Sequence, residues 1–309
     1  MTARPAWSAQ SWLGKPEPMF VSALQSLLRA SAGLATAGWE LSVRITPRGV
    51  SWHRLLVGWD TAGLATARIL GLPAELSMPE AVASAWQQHA SQASQVLLAV
   101  EASVPSAERG AQPAIVVDRR AYLQRRTDDP NDTLVLRGYK WRDDDPLNWR
   151  QTDYHRVSLN GAQALDALRH AAHEEQRPVA LGQAYHAAAE VLSRVSTDLG
   201  QRGLDIASMP FELLVATETA AGVATPRSSL CCRLYELDAD ARVAMAPVHT
   251  LLQSWDLAHQ GVVLRNVLTH RPLGWLAVGQ DRHGDPFLTL YAQASVHDAW
   301  QWIASGAGP

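Results

Sequence analysis

Strand signals in this chain come in pairs joined by turns. Leu41, Val43 and Ile45 alternate with Glu40, Ser42, Arg44 and Thr46, the turn Pro47-Arg48-Gly49 follows, and a second strand runs over about 50–58. Alternation with period two predicts strands, and a short turn folds the second strand back antiparallel on the first. The same reading predicts strands over 114–124, 133–142, 150–158, 211–217, 228–237, 262–268, 274–280 and 286–293. Helical spacing predicts helices over 18–31, 79–93, 161–200 with a break at Pro178, 245–256 and 295–303. A βαβ fold would place a helix after every strand, whereas hairpins make neighbouring strands antiparallel. The expected class is therefore α+β. A single closed antiparallel β-barrel of about ten strands with helices outside would satisfy every sheet edge. It would form one domain over 1–309, with an insertion at about 95–126.

The faces of these strands say what such a barrel would contain. If helices cover the aliphatic faces, the lumen is lined by Arg, Tyr, Trp and an occasional carboxylate, and ten strands enclose more space than side chains fill. A sheet with one solvated face gives the same alternation. Only 18% of residues are charged, against roughly 25% in a typical domain, and the net charge is −3. No basic excess is available for nucleic-acid backbones or acidic membranes. No apolar run approaches the ~18 residues that span a bilayer, and no basic start precedes an apolar stretch, so the expected setting is cytoplasmic, with neither nucleic acid nor membrane as partner. Adjacent Cys231 and Cys232 make neither a disulfide framework nor a zinc site, and His170, His173 and Glu174 lack further ligands at metal-binding spacing, so no metal site is expected. Twelve Trp against six Tyr and three Phe point to a Trp-built core or to a flat apolar ligand.

The residues resemble the ABBA-type prenyltransferases, and most closely the cyanobactin-type peptide prenyltransferases. The likeness rests on Gly38-Trp39-Glu40-Leu41-Ser42-Val43-Arg44-Ile45 through Trp52-His53-Arg54-Leu55-Leu56 to Asp60, where a Glu opens the first strand and an Arg lies along the second. Val135-Leu136 through Tyr154-His155-Arg156-Val157 is similar to the family's second hairpin, with Thr152, Tyr154 and Arg156 at its alternate basic positions. Arg233-Leu234-Tyr235 and Pro286-Phe287-Leu288-Thr289-Leu290-Tyr291 resemble its closing Tyr-bearing strands.

This resemblance implies transfer of a dimethylallyl (C5) group from dimethylallyl diphosphate to a side chain of a ribosomally made peptide, linear or cyclic. Trp or Tyr is the preferred acceptor, with His and Arg as further options. The alternatives are prenylation of a small aromatic metabolite, an indole or phenol, and a non-catalytic barrel that binds a peptide or ligand. Arg54, Arg156 and Arg233 would bind diphosphate, since the guanidinium fork matches phosphate oxygens and never deprotonates. Tyr154, Tyr235 and Tyr291 would shield the allylic cation with their π faces. Trp52 would border the acceptor pocket, and Glu40 would take the proton. Mg2+ can accompany the diphosphate, but no protein cage for it is readable. Asp128-Asp129-Pro130-Asn131-Asp132 spells the D-D-x-x-D of helical prenyl synthases, yet Pro130 and Asn131 between strands predict a turn.

Overall fold

The computed structural model describes residues 18–306 apart from 35, 37, 53, 65, 104–115, 126–128, 130 and 221. Eleven strands run through it: β1 (Gly38–Thr46), β2 (Gly49–Ser51), β3 (Arg54–Asp60), β4 (Ala93–Ser103), β5 (Val116–Arg125), β6 (Leu134–Trp141), β7 (Arg150–Asn160), β8 (Pro210–Ala220), β9 (Val223–Arg233), β10 (Leu273–Gln280) and β11 (Pro286–Ala294). Short β2 and longer β3 both pair with β1, lying end to end along it, so the sheet has ten staves. Each stave is antiparallel to its neighbour, and β11 pairs with β1 from Ala294↔Trp39 to Leu288↔Ile45. That last ladder closes the sheet into the expected barrel.

Helices α1 (Pro18–Ser31), α2 (Thr66–Glu75), α3 (Glu80–Ala90), α4 (Gly161–His173), α5 (Val179–Gln201), α6 (Met245–Ser254), α7 (Gly261–Leu268) and α8 (Val296–Gly306) surround it. Their apolar stripes take up the outward strand faces: Phe20, Leu24 and Leu27 of α1 and Leu41, Val43 and Ile45 of β1 are all buried in one continuous core. Most tryptophans belong to this outer layer. Trp86 is fully buried, donates from Nε1 to the Ile69 carbonyl at 3.1 Å, and lies 6.1 Å from the Tyr139 ring. Trp141 follows inward-facing Lys140 and so points outward into the same core.

Two expectations are corrected, and one helix is added. The segment around 95–126, expected to be an insertion, supplies the consecutive staves β4 and β5, which pair from Ala93↔Arg125 to Ser103↔Val116; residues 104–115 lie outside the described chain. The expected strand at 262–268 is helix α7, because tertiary packing of Leu264 and Leu268 overrides β-branched propensity. Helix α2 was not foreseen, since Gly71 and Pro73 interrupt its pattern. In the D-D-x-x-D stretch the Asn131 amide donates to Asp129 Oδ1 at 2.9 Å in the connection between β5 and β6; Asp128 and Pro130 lie outside the described residues.

The connections alternate between the two ends of the barrel. One end carries the hairpin turns β1–β2, β6–β7, β8–β9 and β10–β11, and the other carries most of the helical crossovers. Truncating Trp86 to Ala removes a fully buried ring and a hydrogen bond, so it is expected to cost about 3–5 kcal/mol of unfolding free energy, read by denaturant titration.

Candidate active site

Residues opposite one another in register share a face, so the ladders define the lumen. Nearest the hairpin end is a layer of charge: Arg44 on β1, Glu101 on β4, Asp118 and Arg120 on β5, Lys140 on β6, Arg150 on β7, Glu218 on β8 and Arg227 on β9. These side chains line a cavity of about 610 Å³ that opens among the hairpin turns, with Trp52, Asn148, Asp281 and Asp285 at its rim. Arg54 on β3 stands opposite Glu101 in register.

Most of the cations in this layer are paired. Glu101 accepts from Arg54 Nε at 3.0 Å and, through its other oxygen, from Arg120 Nη2. Asp118 holds Lys140 Nζ at 2.8 Å, Glu218 holds Arg227 Nη1 at 2.8 Å, and Asp281 holds Arg44 Nη2 at 3.2 Å. Arg150 differs: Nη2 donates to Asn148 Oδ1 at 3.0 Å, and no carboxylate lies within ion-pair distance of it among the described residues. Burial disfavours charge, so it lowers the pKa of Arg44 to about 10 and also lowers those of Lys140 and Arg150. A buried layer in which cations outnumber carboxylates is suited to a polyanion, which would complete the charge balance.

Deeper in the lumen the lining turns aromatic and apolar. Tyr122 and Tyr154 pack with ring centroids 6.4 Å apart, and the Arg54 guanidinium sits 5.8 Å from the Tyr291 ring. Val135, Leu214, Cys231, Ala277 and Phe287 are buried beside Tyr154 and Tyr291. Burial raises the pKa of both phenols, keeping them neutral. Gly138 makes room for this layer, because a Cβ there would lie 2.6 Å from Tyr122 Cε1. Neutral rings facing a dry lumen offer their π faces to a cation.

Glu40 lies beyond this layer. It is four residues before Arg44 on the same face of β1, roughly 13 Å along a strand that rises about 3.3 Å per residue. It is only 5% exposed, and its Oε1 has no hydrogen-bond partner among the described residues. Burial without a cationic partner pushes its carboxyl up to about 8. Gly274 lets it sit there, since a Cβ would come within 2.6 Å of Glu40 Oε1 and 2.8 Å of the Tyr235 ring.

The residues expected from sequence divide accordingly. Glu40, Arg54, Tyr154 and Tyr291 face the lumen, and Trp52 lines the cavity. Tyr235 sits in a short 3-10 turn after β9, edge-on to Trp275 at 6.1 Å, beside Glu40 and away from the other tyrosines. Arg156 and Arg233 face inward but are not brought to the charged layer. Arg156 is six residues beyond Arg150, roughly 20 Å along β7, and Arg233 is as far beyond Arg227 on β9. Arg233 is bound to Glu236 at 2.7 Å, lies 3.6 Å from Glu212, and stands over Trp275. Sequence reading missed Glu101, Arg120, Tyr122, Arg150 and Arg227. Asp118, Arg120 and Tyr122 alternate like any inward strand face, but reading their segment as an insertion hid the signal. Arg150 is the first residue of β7, and Arg227, the fifth residue of β9, lies just outside the strand expected over 228–237.

No protein-family model matches the chain, and no curated protein does. Among solved structures, the 5-dimethylallyl tryptophan synthase from Streptomyces coelicolor in complex with DMASPP and Trp aligns with a TM-score of 0.55 at 14% identity, covering 95% of this chain and 91% of that one. A second structure of the 5-dimethylallyltryptophan synthase from Streptomyces coelicolor aligns at 0.54 and 13% identity, covering 95% and 94%. The likeness shows the fold: this chain has the same closed barrel fold as those structures.

The state of Glu40 has a measurable consequence. With a folded pKa near 8 against an ordinary 4.5, folding takes up a proton between those values, so its contribution to stability is present at low pH and is lost as pH rises through 8. The melting temperature of Glu40→Gln should therefore fall less than that of the wild type between pH 5 and pH 8.5, by thermal unfolding. Parallel curves would show that Glu40 is ionised in the folded protein.

Proposed function

We propose that this chain is a prenyltransferase that moves a dimethylallyl group from dimethylallyl diphosphate to an aromatic acceptor. The observation that carries the reading is the order of the lumen: a basic layer, then tyrosines, then a buried carboxyl group with no cation paired to it among the described residues. The reaction needs those three environments in that sequence. The allylic C–O bond breaks and its electron pair leaves with diphosphate, which the basic layer stabilises. The C5 cation is held against the rings of Tyr122, Tyr154 and Tyr291, away from water. An acceptor ring carbon or heteroatom attacks it, and Glu40 takes the proton that restores neutrality.

Arg150 is the first diphosphate ligand in this reading, because it alone of the layer's cations has no carboxylate within ion-pair distance among the described residues. Arg120, Arg227, Lys140 and Arg54 complete the cradle, and Arg156 and Arg233 are left to the opposite end. No group of three metal-ligating side chains occurs among the described residues, and Glu101, Asp118 and Glu218 are engaged by cations, so any magnesium would be held by the diphosphate.

The acceptor we infer is a Trp or Tyr side chain of a ribosomally made peptide, as in the cyanobactin-type enzymes that the sequence resembles. A cavity of about 610 Å³ leaves room beside a C5 donor. The second reading is a free indole, favoured by the Trp-bound Streptomyces structure of the same fold.

Incubation with dimethylallyl diphosphate and a panel of Trp- and Tyr-containing peptides, free tryptophan and simple phenols should add one C5 unit to an acceptor, read by mass spectrometry. Absence of transfer and of diphosphate release on every acceptor overturns the reading. Arg150→Ala should raise the donor KM about 10- to 100-fold, the equivalent of a lost charge-assisted hydrogen bond. Glu40→Gln should lower kcat by about 10²- to 10⁴-fold, and wild-type kcat/KM should rise with pH toward an apparent pKa near 8 as the base ionises. Unchanged turnover in Glu40→Gln would remove it from the chemistry.

A further inference from the structure

Glu101 is a deeply enclosed carboxylate of the charged layer. It is 4% exposed, it lines the cavity, and its two oxygens serve two different arginines on the strands to either side, Arg54 on β3 and Arg120 on β5. Burial raises its pKa while Arg120 and Arg54 lower it more, so it is held well below the usual carboxylate range and stays charged. A fixed negative charge in a chamber built for an anion opposes binding by simple Coulomb repulsion. Its presence therefore calls for a compensating role.

The geometry supplies one. Arg54 and Arg120 are long side chains with several rotamers each, and neither is otherwise fixed by a carboxylate. Glu101 takes Arg54 by Nε and Arg120 by Nη2, leaving Arg54 Nη1 and Arg120 Nε buried with no partner among the described residues. Buried unpartnered donors on charged groups are costly and are normally satisfied. Here they are spare donors on two guanidinium groups whose positions one carboxylate fixes.

We propose that Glu101 is a positioning residue that clamps Arg54 and Arg120 together so that their spare donors are presented to a diphosphate group. The inference rests on the diphosphate reading above but concerns anion binding alone. Removing the negative charge must tighten anion binding if Glu101 acts only through its charge, and must weaken it if Glu101 acts by holding the arginines. The two roles thus predict opposite signs. Gln at this position keeps the shape but has a single acceptor oxygen, and its amide nitrogen faces an arginine as a second donor.

Isothermal titration of wild type and Glu101→Gln with inorganic pyrophosphate tests this. Binding at least tenfold weaker in the variant is expected, together with little further loss when Glu101→Gln is combined with Arg120→Ala, because both changes remove the same clamp. Equal or tighter binding in Glu101→Gln, or full additivity in the double variant, overturns the proposal. Should Glu101→Gln fail to fold, Glu101→Asp retains the charge but is one methylene too short to reach both arginines. It is expected to weaken pyrophosphate binding as well, and unaltered affinity would be decisive against the clamp. Wild-type protein that binds pyrophosphate but transfers no prenyl group overturns the enzymatic reading alone, whereas wild-type protein that binds no pyrophosphate overturns both.

Discussion

Pairing of β11 with β1 is the constraint on which the rest depends. Once that ladder closes the sheet, every strand has an outside and an inside, and only the outside can be covered by helices. The aliphatic residues must then face outward, where Leu41, Val43 and Ile45 meet the helical layer, and whatever alternates with them must be accommodated in a lumen. A closed sheet also has no edge, so no strand is left as a template for aggregation. The barrel is in this sense inverted: its largest apolar core lies between sheet and helices, and its interior is available for chemistry.

An interior of that kind is electrostatically demanding. Arginines and a lysine inside a barrel lose hydration, and burial lowers the pKa of Arg44, Lys140 and Arg150. The structure answers with carboxylates placed one strand away: Glu101 beside Arg54 and Arg120, Asp118 beside Lys140, Glu218 beside Arg227. Buried pairs of this type add little net stability, but breaking one leaves an uncompensated charge. Their effect is to hold cations in place without neutralising the layer. Glu40, which receives no such partner, responds in the opposite way, with its pKa raised. Two buried carboxylates two staves apart, Glu40 on β1 and Glu101 on β4, thus reach opposite protonation states through their surroundings alone.

Much of the barrel was legible because the hydrophobic period and turn residues are local. Hairpins such as β6–β7 and β10–β11 announce themselves through alternation and Pro/Gly/Asp turns, and the inward phase of Glu40, Arg54, Tyr154 and Tyr291 follows from the same counting. Errors arose where local signal and tertiary context disagree. Valines at 262–263 suggest a strand, but the segment packs as α7. Residues 95–126 suggest an insertion because a stretch rich in Pro, Ser and Gly divides them, although β4 and β5 are full staves. That single misreading hid Glu101, Arg120 and Tyr122 from the candidate site.

The sequence by itself determined which face of each strand is polar, because side chains alternate strictly along extended backbone, and it thereby determined that Arg, Tyr and Glu would share one surface. It could not determine how far along the barrel each of them sits. Height in a barrel depends on strand tilt and on the register of every ladder, which are set by closure and by packing of the helices outside. Hence Arg150 and Arg156, alike in phase, fall roughly 20 Å apart along β7, one in the charged layer and the other beyond it. The kind of lining was written in the period of the chain, and its order from mouth to floor was decided only when the tenth stave met the first.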